Sequence, residues 1–438
     1  MNYYSENIAP DSFTGAIFAL EGISDACVVL NGPTGCKFYH SAISDSQFLR
    51  TASYNPLEFI EGFYFGQPRV PSTYLDGNDY VFGGGEKIAN ILRTVVKKGY
   101  ALIAVINSPG AALIGDDLSR FLEEEVKDIP CFSMENTGFS GSFGLGYQNA
   151  IIGAMKAIGL RSTGLTSEGE AKKKTVNLLG LCIYQKYYDQ NYLTLKNLLG
   201  LCDIEVIAAP GAGDDTAALR RMAEAALNVI VYPEYGRMIA EFLHKEYGMP
   251  CLCPEEGPPM GFDAASSFVR QVCEALGADP GKALELIDRA RARAYLYLSR
   301  FSSLLGLPKG TLFSLKAEAS TAYALTKWLC GYLGMIPAAI SVLPESDTEF
   351  TEKLRIFLTG IHYQETLQKS IIETTTHILL GDGNTVAELK LYGQRFCGIE
   401  IMLPVLGYLD ITEKTIFGGQ GALFLLEQIL NGLRFVIP

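Results

Sequence analysis

The apolar positions of this chain fall into short continuous runs separated by stretches of helical spacing. Residues 25–30, 100–106 and 129–133 are apolar runs of strand length, each followed by a loop rich in Asn, Gly, Ser or Pro. Unbroken runs bounded by turn residues predict strands buried on both faces, as in a parallel sheet, rather than half-exposed alternating strands. Between them, residues 12–21, 88–98, 118–127 and 147–158 carry helical periodicity, and Asp116 or Asp117 stands where a cap for the third of these helices belongs. The first part of the chain therefore reads as a βαβ series with glycine-rich loops after its strands.

The alternation pauses over 161–174 (RSTGLTSEGEAKKK), a polar, aperiodic stretch ending in a charge run, which reads as a linker. Beyond it, 176–182, 204–208 and 228–231 predict strands, with helices over 193–199, 216–226 and 237–247. Helix-forming sequence then covers 263–304 with a break at 277–281. The last part predicts strands over 311–315, 338–343, 377–380 and 397–404, a further strand over 354–359, and helices over 321–333, 386–393 and 421–432. The expected fold is α/β, with three Rossmann-like domains of parallel sheets flanked by helices, at 1–170, 171–305 and 306–438.

Composition narrows the function classes. A net charge of −12 argues against a nucleic-acid partner, which needs a basic surface. Hydrophobic residues make up 48% of the 438, yet no apolar run reaches the ~18 residues of a membrane span, and the N-terminus lacks the basic and apolar regions of a signal peptide. The expectation is a cytoplasmic protein with no membrane partner. Ten cysteines are too few for a disulfide scaffold, and no Cys-x-x-Cys pair occurs. The four histidines, His40, His244, His362 and His377, are too scattered for a His-built zinc site.

The stretch that asks for a chemical explanation is Asn31-Gly32-Pro33-Thr34-Gly35-Cys36-Lys37. A buried strand stops at a tight turn, and a thiol stands at its far lip, beyond the carboxyl end where open α/β sheets bind ligands. The turn is not a phosphate-binding loop, because two residues rather than four separate its glycines and Cys precedes the Lys. A dinucleotide fingerprint and a Gly-x-Ser-x-Gly nucleophile elbow are both missing from the sequence. A thiol so placed can ligate a metal or a cluster.

Several loops together resemble the component 1 family of nitrogenases and nitrogenase-like reductases. Gly32-Pro33-Thr34-Gly35-Cys36 resembles its Gly-Pro-x-Gly-Cys turn, and Tyr80-Val81-Phe82-Gly83-Gly84-Gly85-Glu86-Lys87 its V-F-G-G-x-x-K segment. Leu113-Ile114-Gly115-Asp116-Asp117-Leu118 is similar to its I-G-D-D helix start, and Gly138-Phe139-Ser140-Gly141 with Leu145-Gly146 to its G-F-x-G…L-G loop. Ile416 to Ala422 resembles a late G-[YF]-x-G-A turn, and the matching pieces keep the family's order over nearly the whole chain.

The resemblance implies an iron–sulfur cluster, of the [4Fe-4S] type, at a subunit interface, with Cys36 as ligand and Gly35, Pro109, Gly110 and Gly138 around it. It also implies an ATP-dependent iron–sulfur reductase protein as electron donor, and a homodimer or a heteromer with a related subunit. The departures are equally specific. The early segment Ser12 to Ala16 has no cysteine, Pro109 stands where a third cluster cysteine belongs, and no cysteine lies near Tyr232 to hold a metal–homocitrate cofactor. Dinitrogen reduction is therefore not expected, and an organic substrate such as a tetrapyrrole is. Because a four-iron cluster takes four ligands, Cys36 needs companions: a second chain's Cys36, or Cys27, Cys131, or a carboxylate such as Glu135 or Asp116. Three alternatives stay open at this point: a Cys36 that ligates nothing, a non-catalytic scaffold for cofactor assembly or cluster-free paralogous subunit, and a cluster-free binder of small molecules.

Overall fold

The computed structural model of the protein describes residues 3–36, 70–135, 141–161, 174–407 and 410–437. Eleven strands among these residues form three sheets, and every pairing between neighbouring strands is parallel. The first sheet runs β1 (Ala26–Asn31), β2 (Leu102–Asn107), β3 (Cys131–Met134) in that order. The second has the order β5-β4-β6-β7, from β4 (Thr175–Leu179), β5 (Glu205–Ala208), β6 (Leu227–Ile230) and β7 (Cys251–Leu252). The third has the order β11-β10-β8-β9, from β8 (Leu312–Ala317), β9 (Ile336–Val342), β10 (Ile378–Asp382) and β11 (Cys397–Met402). Every residue of β1 and β2 is buried, which is why their sequences read as unbroken apolar runs.

Two sheets carry a pair of asparagines at matching register. Asn31 sits opposite Asn107 at the ends of β1 and β2, its Nδ2 donating to Asn107 Oδ1 at 2.8 Å, and Thr73 Oγ1 donates to Asn31 Oδ1 at 2.8 Å. Asn177 sits opposite Asn228 in β4 and β6, with Nδ2 to Oδ1 again 2.8 Å.

Helix Ser12–Glu21 is buried along its whole length and lies against helix Phe143–Ile158. Glycines permit that approach: a Cβ on Gly146 would stand 1.8 Å from Ser12 O, and one on Gly15 would stand 2.0 Å from Phe143 O. The chain ends tie distant parts together. Ser5 N donates to Glu388 Oε2 at 2.7 Å on helix Gly383–Leu391, and the C-terminal helix Gly418–Val436 returns to the long helix Gly281–Leu305. Beneath the N-terminal segment, buried Lys316 pairs with Asp382 at 3.1 Å and donates to Ser5 O at 2.6 Å.

The strand expected at 354–359 is instead the interior of helix Thr348–Gly360. Asp347 accepts from Phe350 N at 3.1 Å as its cap, and Phe350, Leu354 and Leu358 bury one face at a spacing of four. A six-residue window is too short to separate that spacing from a strand run. The helix read over 216–226 covers only Thr216–Arg220 and continues as a 3₁₀ turn, Met222–Glu224. Nearly all of the 161–174 linker lies outside the described residues.

Candidate functional site

The turn after β1 is pinned from two sides. Ser108 N donates to Asn31 O at 2.8 Å from the neighbouring strand end, while Gly32 N donates to Thr73 Oγ1 at 3.0 Å and Gly32 O accepts from Leu75 N at 3.0 Å. A Cβ on Gly32 would meet Ser108 Oγ at 2.7 Å, so the glycine lets the two strand ends close on each other. Cys36 N then donates to Pro33 O at 3.2 Å, which folds the thiol back over the turn.

Cys36 is half-buried there. Burial raises its thiol above the usual range, the Asp11 carboxylate pushes the same way, and a hydrogen bond with the Ser108 hydroxyl opposes both. The nearby Tyr80 phenol also has a raised pKa, chiefly from burial. Tyr80 OH lies 3.0 Å from where a Cβ on Gly110 would sit. The loops after β1 and β2 thus bring Cys36, Ser108, Pro109 and Gly110 to one place, with Gly35 exposed at the rim. Next in the chain to Tyr80 and beyond Gly110, Val81, Phe82 and Leu113 present 73%, 85% and 88% of their surface to solvent.

The other candidates lie elsewhere. Cys27 and Cys131 flank Ile103 in one row of the sheet, near the opposite strand ends, among apolar side chains facing helices Gly85–Val95 and Leu118–Glu125. Glu135 is exposed beyond β3, on Cys36's edge of the sheet but two strands away. The Asp116 carboxylate accepts from Gly84 N at 2.8 Å, so it is engaged at the start of helix Gly85–Val95. Asp117 is the residue that caps helix Leu118–Glu125. Gly138 lies outside the described residues.

Among the described residues no group of three or more His, Cys, Asp or Glu side chains could hold a metal. Cys36 with Asp11 beside it is therefore an incomplete donor set for a four-iron cluster. Asp11 itself already accepts from Thr14 N at 2.9 Å and Thr14 Oγ1 at 2.8 Å. The described residues of one chain alone do not fit the cluster.

A second feature was not visible in the sequence. A cavity of about 210 Å³ lies where the three sheets' loops converge. Asp11 and the first turn of helix Phe143–Ile158 wall it from the first sheet's side, and Tyr184, Glu234 and Tyr235 from the second's. Glu318 closes it at the end of β8, and a strap, Leu343 to Ser346, separates it from a cavity of about 570 Å³ beyond. Pro233 opens helix Pro233–Tyr247 directly after β6, which puts Glu234 in the first turn.

The two glutamates cross between sheets. Ser320 N donates to Glu234 Oε1 at 2.8 Å and Ser320 Oγ to Oε2 at 2.7 Å, so Glu234 caps helix Ala319–Gly331 from the other unit. In return, Tyr235 OH donates to Glu318 Oε1 at 2.6 Å. Burial, then the facing Glu318, raises the Glu234 carboxyl to about 7 against the Ser320 hydrogen bonds. Burial raises Glu318 too, opposed by Tyr235. The Phe143 ring lies tilted against Tyr184 at 4.4 Å and edge-on to Tyr235 at 5.5 Å between ring centres. In the sequence each glutamate is only an acidic residue at a helix start after a strand, which is where a carboxylate ordinarily sits.

Comparison with known proteins bears on the fold and the family. A light-independent protochlorophyllide reductase chain of Trichormus variabilis is 30% identical over 219 residues, 48% of this chain and 42% of that protein. The nitrogenase iron-molybdenum cofactor biosynthesis protein NifE of Methanosarcina barkeri is 26% identical over 281 residues, 61% of this chain and 55% of that protein. The chain thus spans about half the length of the curated relatives it matches. The solved structure of nitrogenase Cp1 at pH 6.5 superposes with a TM-score of 0.77 at 18% identity, covering 99% of this chain and 94% of that one, which shows the shared three-sheet fold. The family model of nitrogenase component 1 type oxidoreductases matches residues 12–434, through all three sheets, and the chain belongs to that family.

Proposed function

We propose that the chain is a catalytic-component type subunit of a nitrogenase-like oxidoreductase. It takes electrons from an ATP-dependent iron–sulfur reductase protein and delivers them to an organic substrate held between the three sheets. The observation that carries this reading is the Cys36 turn: a pinned turn bearing a thiol at the carboxyl edge of a parallel sheet, with exposed Val81, Phe82 and Leu113 on the neighbouring segments. Exposed apolar side chains on the segments next to an incomplete donor set suit a second subunit, and a homodimer is the commonest arrangement. Two copies related by a two-fold axis bring two Cys36 thiols to one place. An iron–sulfur cluster bound there supplies one-electron transfer.

In the cavity, the Glu234 carboxyl, raised to about 7 by burial and the facing Glu318, exchanges a proton near neutral pH. At about 210 Å³ the cavity is smaller than the roughly 300–1,000 Å³ of pockets for drug-sized ligands. A compact molecule suits the closed form, and a tetrapyrrole requires the Leu343 to Ser346 strap to move. The similarity to NifE, with one thiol at the site, favours a second reading, a scaffold for cofactor assembly.

Anaerobic purification with iron and sulfide quantitation, repeated on Cys36→Ala, tests the proposal. The expected result is iron in the parent, its loss in the variant at unchanged helical content, and ATP-dependent electron uptake when the reductase protein is added. Equal iron in the variant removes Cys36 as a ligand, and iron binding without electron uptake leaves the scaffold reading.

A further inference from the structure

The long helix Gly281–Leu305 changes character past its middle. Up to that point it buries Ala283, Ile287, Ala290 and Ala294, alternating steps of four and three that keep one stripe on the core. Leu298 and Phe301 continue the stripe half-buried, but no residue from Tyr295 to Leu305 is fully buried. Over those last three or so turns stand Tyr295, Leu296, Tyr297, Leu304 and Leu305, which expose from 48% (Tyr297) to 80% (Leu304) of their surface. Tyr295, Leu296 and Tyr297 are consecutive and so point about 100° apart, which wraps apolar surface round the helix. A helix that is apolar all round belongs in an interior.

This half-helix stands between two clefts. On one flank Tyr297 and Phe301 face Leu423, Leu426 and Leu430 of helix Gly418–Val436 across a cavity of about 330 Å³. On the other, Ala292, Tyr295, Leu296 and Tyr332 line an open cleft of about 810 Å³. A rod beside a groove is self-complementary: about a two-fold axis, the rod of each copy enters the groove of the other, which is the isologous contact of a closed pair. The area suits one. At roughly 150–250 Å² for a side chain of this size, the five exposed residues offer roughly 600 Å², most of the about 800 Å² that each partner buries in an interface of standard size.

Charge decides against an anionic surface as the occupant. Of the four arginines on this helix, Arg289 pairs with Glu285, Arg291 pairs with Asp263 at 2.8 Å, and Arg293 lies over the Tyr297 ring at 5.7 Å. Three of the cations are thus engaged within the chain, and the patch meets another copy of itself without a basic stripe to repel it.

We propose that the half of helix Gly281–Leu305 beyond Ala294 docks a second copy of this chain, helix against helix, through Tyr295, Leu296, Tyr297, Leu304 and Leu305. The contact shares no residue with the Cys36 turn or with Val81, Phe82 and Leu113, so it is a second face, independent of the redox reading. A chain that pairs through both faces assembles beyond a dimer.

Sedimentation velocity of the anaerobically purified full chain is the test, on the parent and on the double variant Leu296→Arg, Leu304→Arg. The parent sediments as an assembly. The double variant, with unchanged helical content, falls to half its mass, its self-association weakened at least about 100-fold by the like charges brought together. Leu391→Arg, at an equally exposed leucine on helix Gly383–Leu391, leaves the mass unchanged. If the double variant fails to fold, Leu296→Ala, which adds no charge, takes its place and weakens the association in the same direction. A parent that sediments as a single chain, or variants that keep the parent's mass, overturns the inference, and capture of that single chain by anionic-lipid vesicles would assign the face to a membrane instead. Iron content, measured on the same samples, reads the Cys36 proposal separately. A chain that binds no iron yet pairs through this helix keeps the present inference and loses the cluster, and a chain that binds iron while the double variant keeps its mass does the reverse.

Discussion

Replacing Glu234 by Gln should flatten the pH dependence of stability in a calculable way. The carboxyl is buried, faces Glu318, and accepts both Ser320 hydrogen bonds, and its pKa moves from 4.5 to about 7. At about 1.4 kcal/mol per unit, the shift corresponds to roughly 3 kcal/mol. Because the folded pKa lies above the unfolded one, the native state binds the extra proton between about pH 4.5 and 7. The stabilisation is full below 4.5 and is lost as pH rises through 7. Gln keeps the shape and does not titrate. The stability of Glu234→Gln relative to the parent should therefore climb by about 2–3 kcal/mol from pH 5 to pH 8. Glu318 feels the loss of its charged neighbour, so this difference reports the pair's proton rather than one carboxyl's.

Urea unfolding at half-unit pH steps measures it. The chain's single tryptophan, Trp328, is buried in the helix that Glu234 caps and supplies a local signal. Parallel stability curves for parent and variant across pH 5 to 8 would refute the reasoning. So would a gap that widens toward acid.

Two further substitutions test the frame that holds the site. Gly146→Ala puts a methyl group 1.8 Å from Ser12 O, so the helices must separate; overpacking of this kind costs about 1–3 kcal/mol and lowers the urea midpoint without changing its slope. Lys316→Met leaves Asp382 buried without its ion-pair partner and should cost about 3–5 kcal/mol, whereas adding Asp382→Asn to that variant should recover part of the loss. A double variant no more stable than Lys316→Met would show that the pair is not coupled.

The sequence carried the parts of this fold that local physics determines. The β1 strand announces its end through Asn31, Gly32 and Pro33, and Asp117 caps its helix as its position suggested. The break read at 277–281 is a real boundary, with Gly277 at φ 61° ending one helix and Gly281 starting the next. The turn bearing Cys36 was legible for the same reason. What stayed hidden depends on contacts between distant residues. Glu234 meets Ser320 and Tyr235 meets Glu318 across more than eighty positions, and neither pairing leaves a periodicity or a spacing to read. The 354–359 error has a local cause, since the face that identifies the helix begins at Phe350, outside the window.

The asparagine rung between β1 and β2 has a consequence for how reliably the site is assembled. Parallel strands are joined by long crossovers, and an all-apolar pair such as these two offers little to distinguish one alignment from the next. A slip of one residue would set Asn31 against Ile106 in one direction, or Asn107 against Leu30 in the other, and either slip parts two buried amides at about 1–3 kcal/mol apiece. The rung thus acts as a vernier mark, rejecting neighbouring alignments. It stands one residue before Gly32 on one strand and one before Ser108 on the other, so the alignment it selects is the one that brings the Cys36 turn and the Ser108 turn out at the same height.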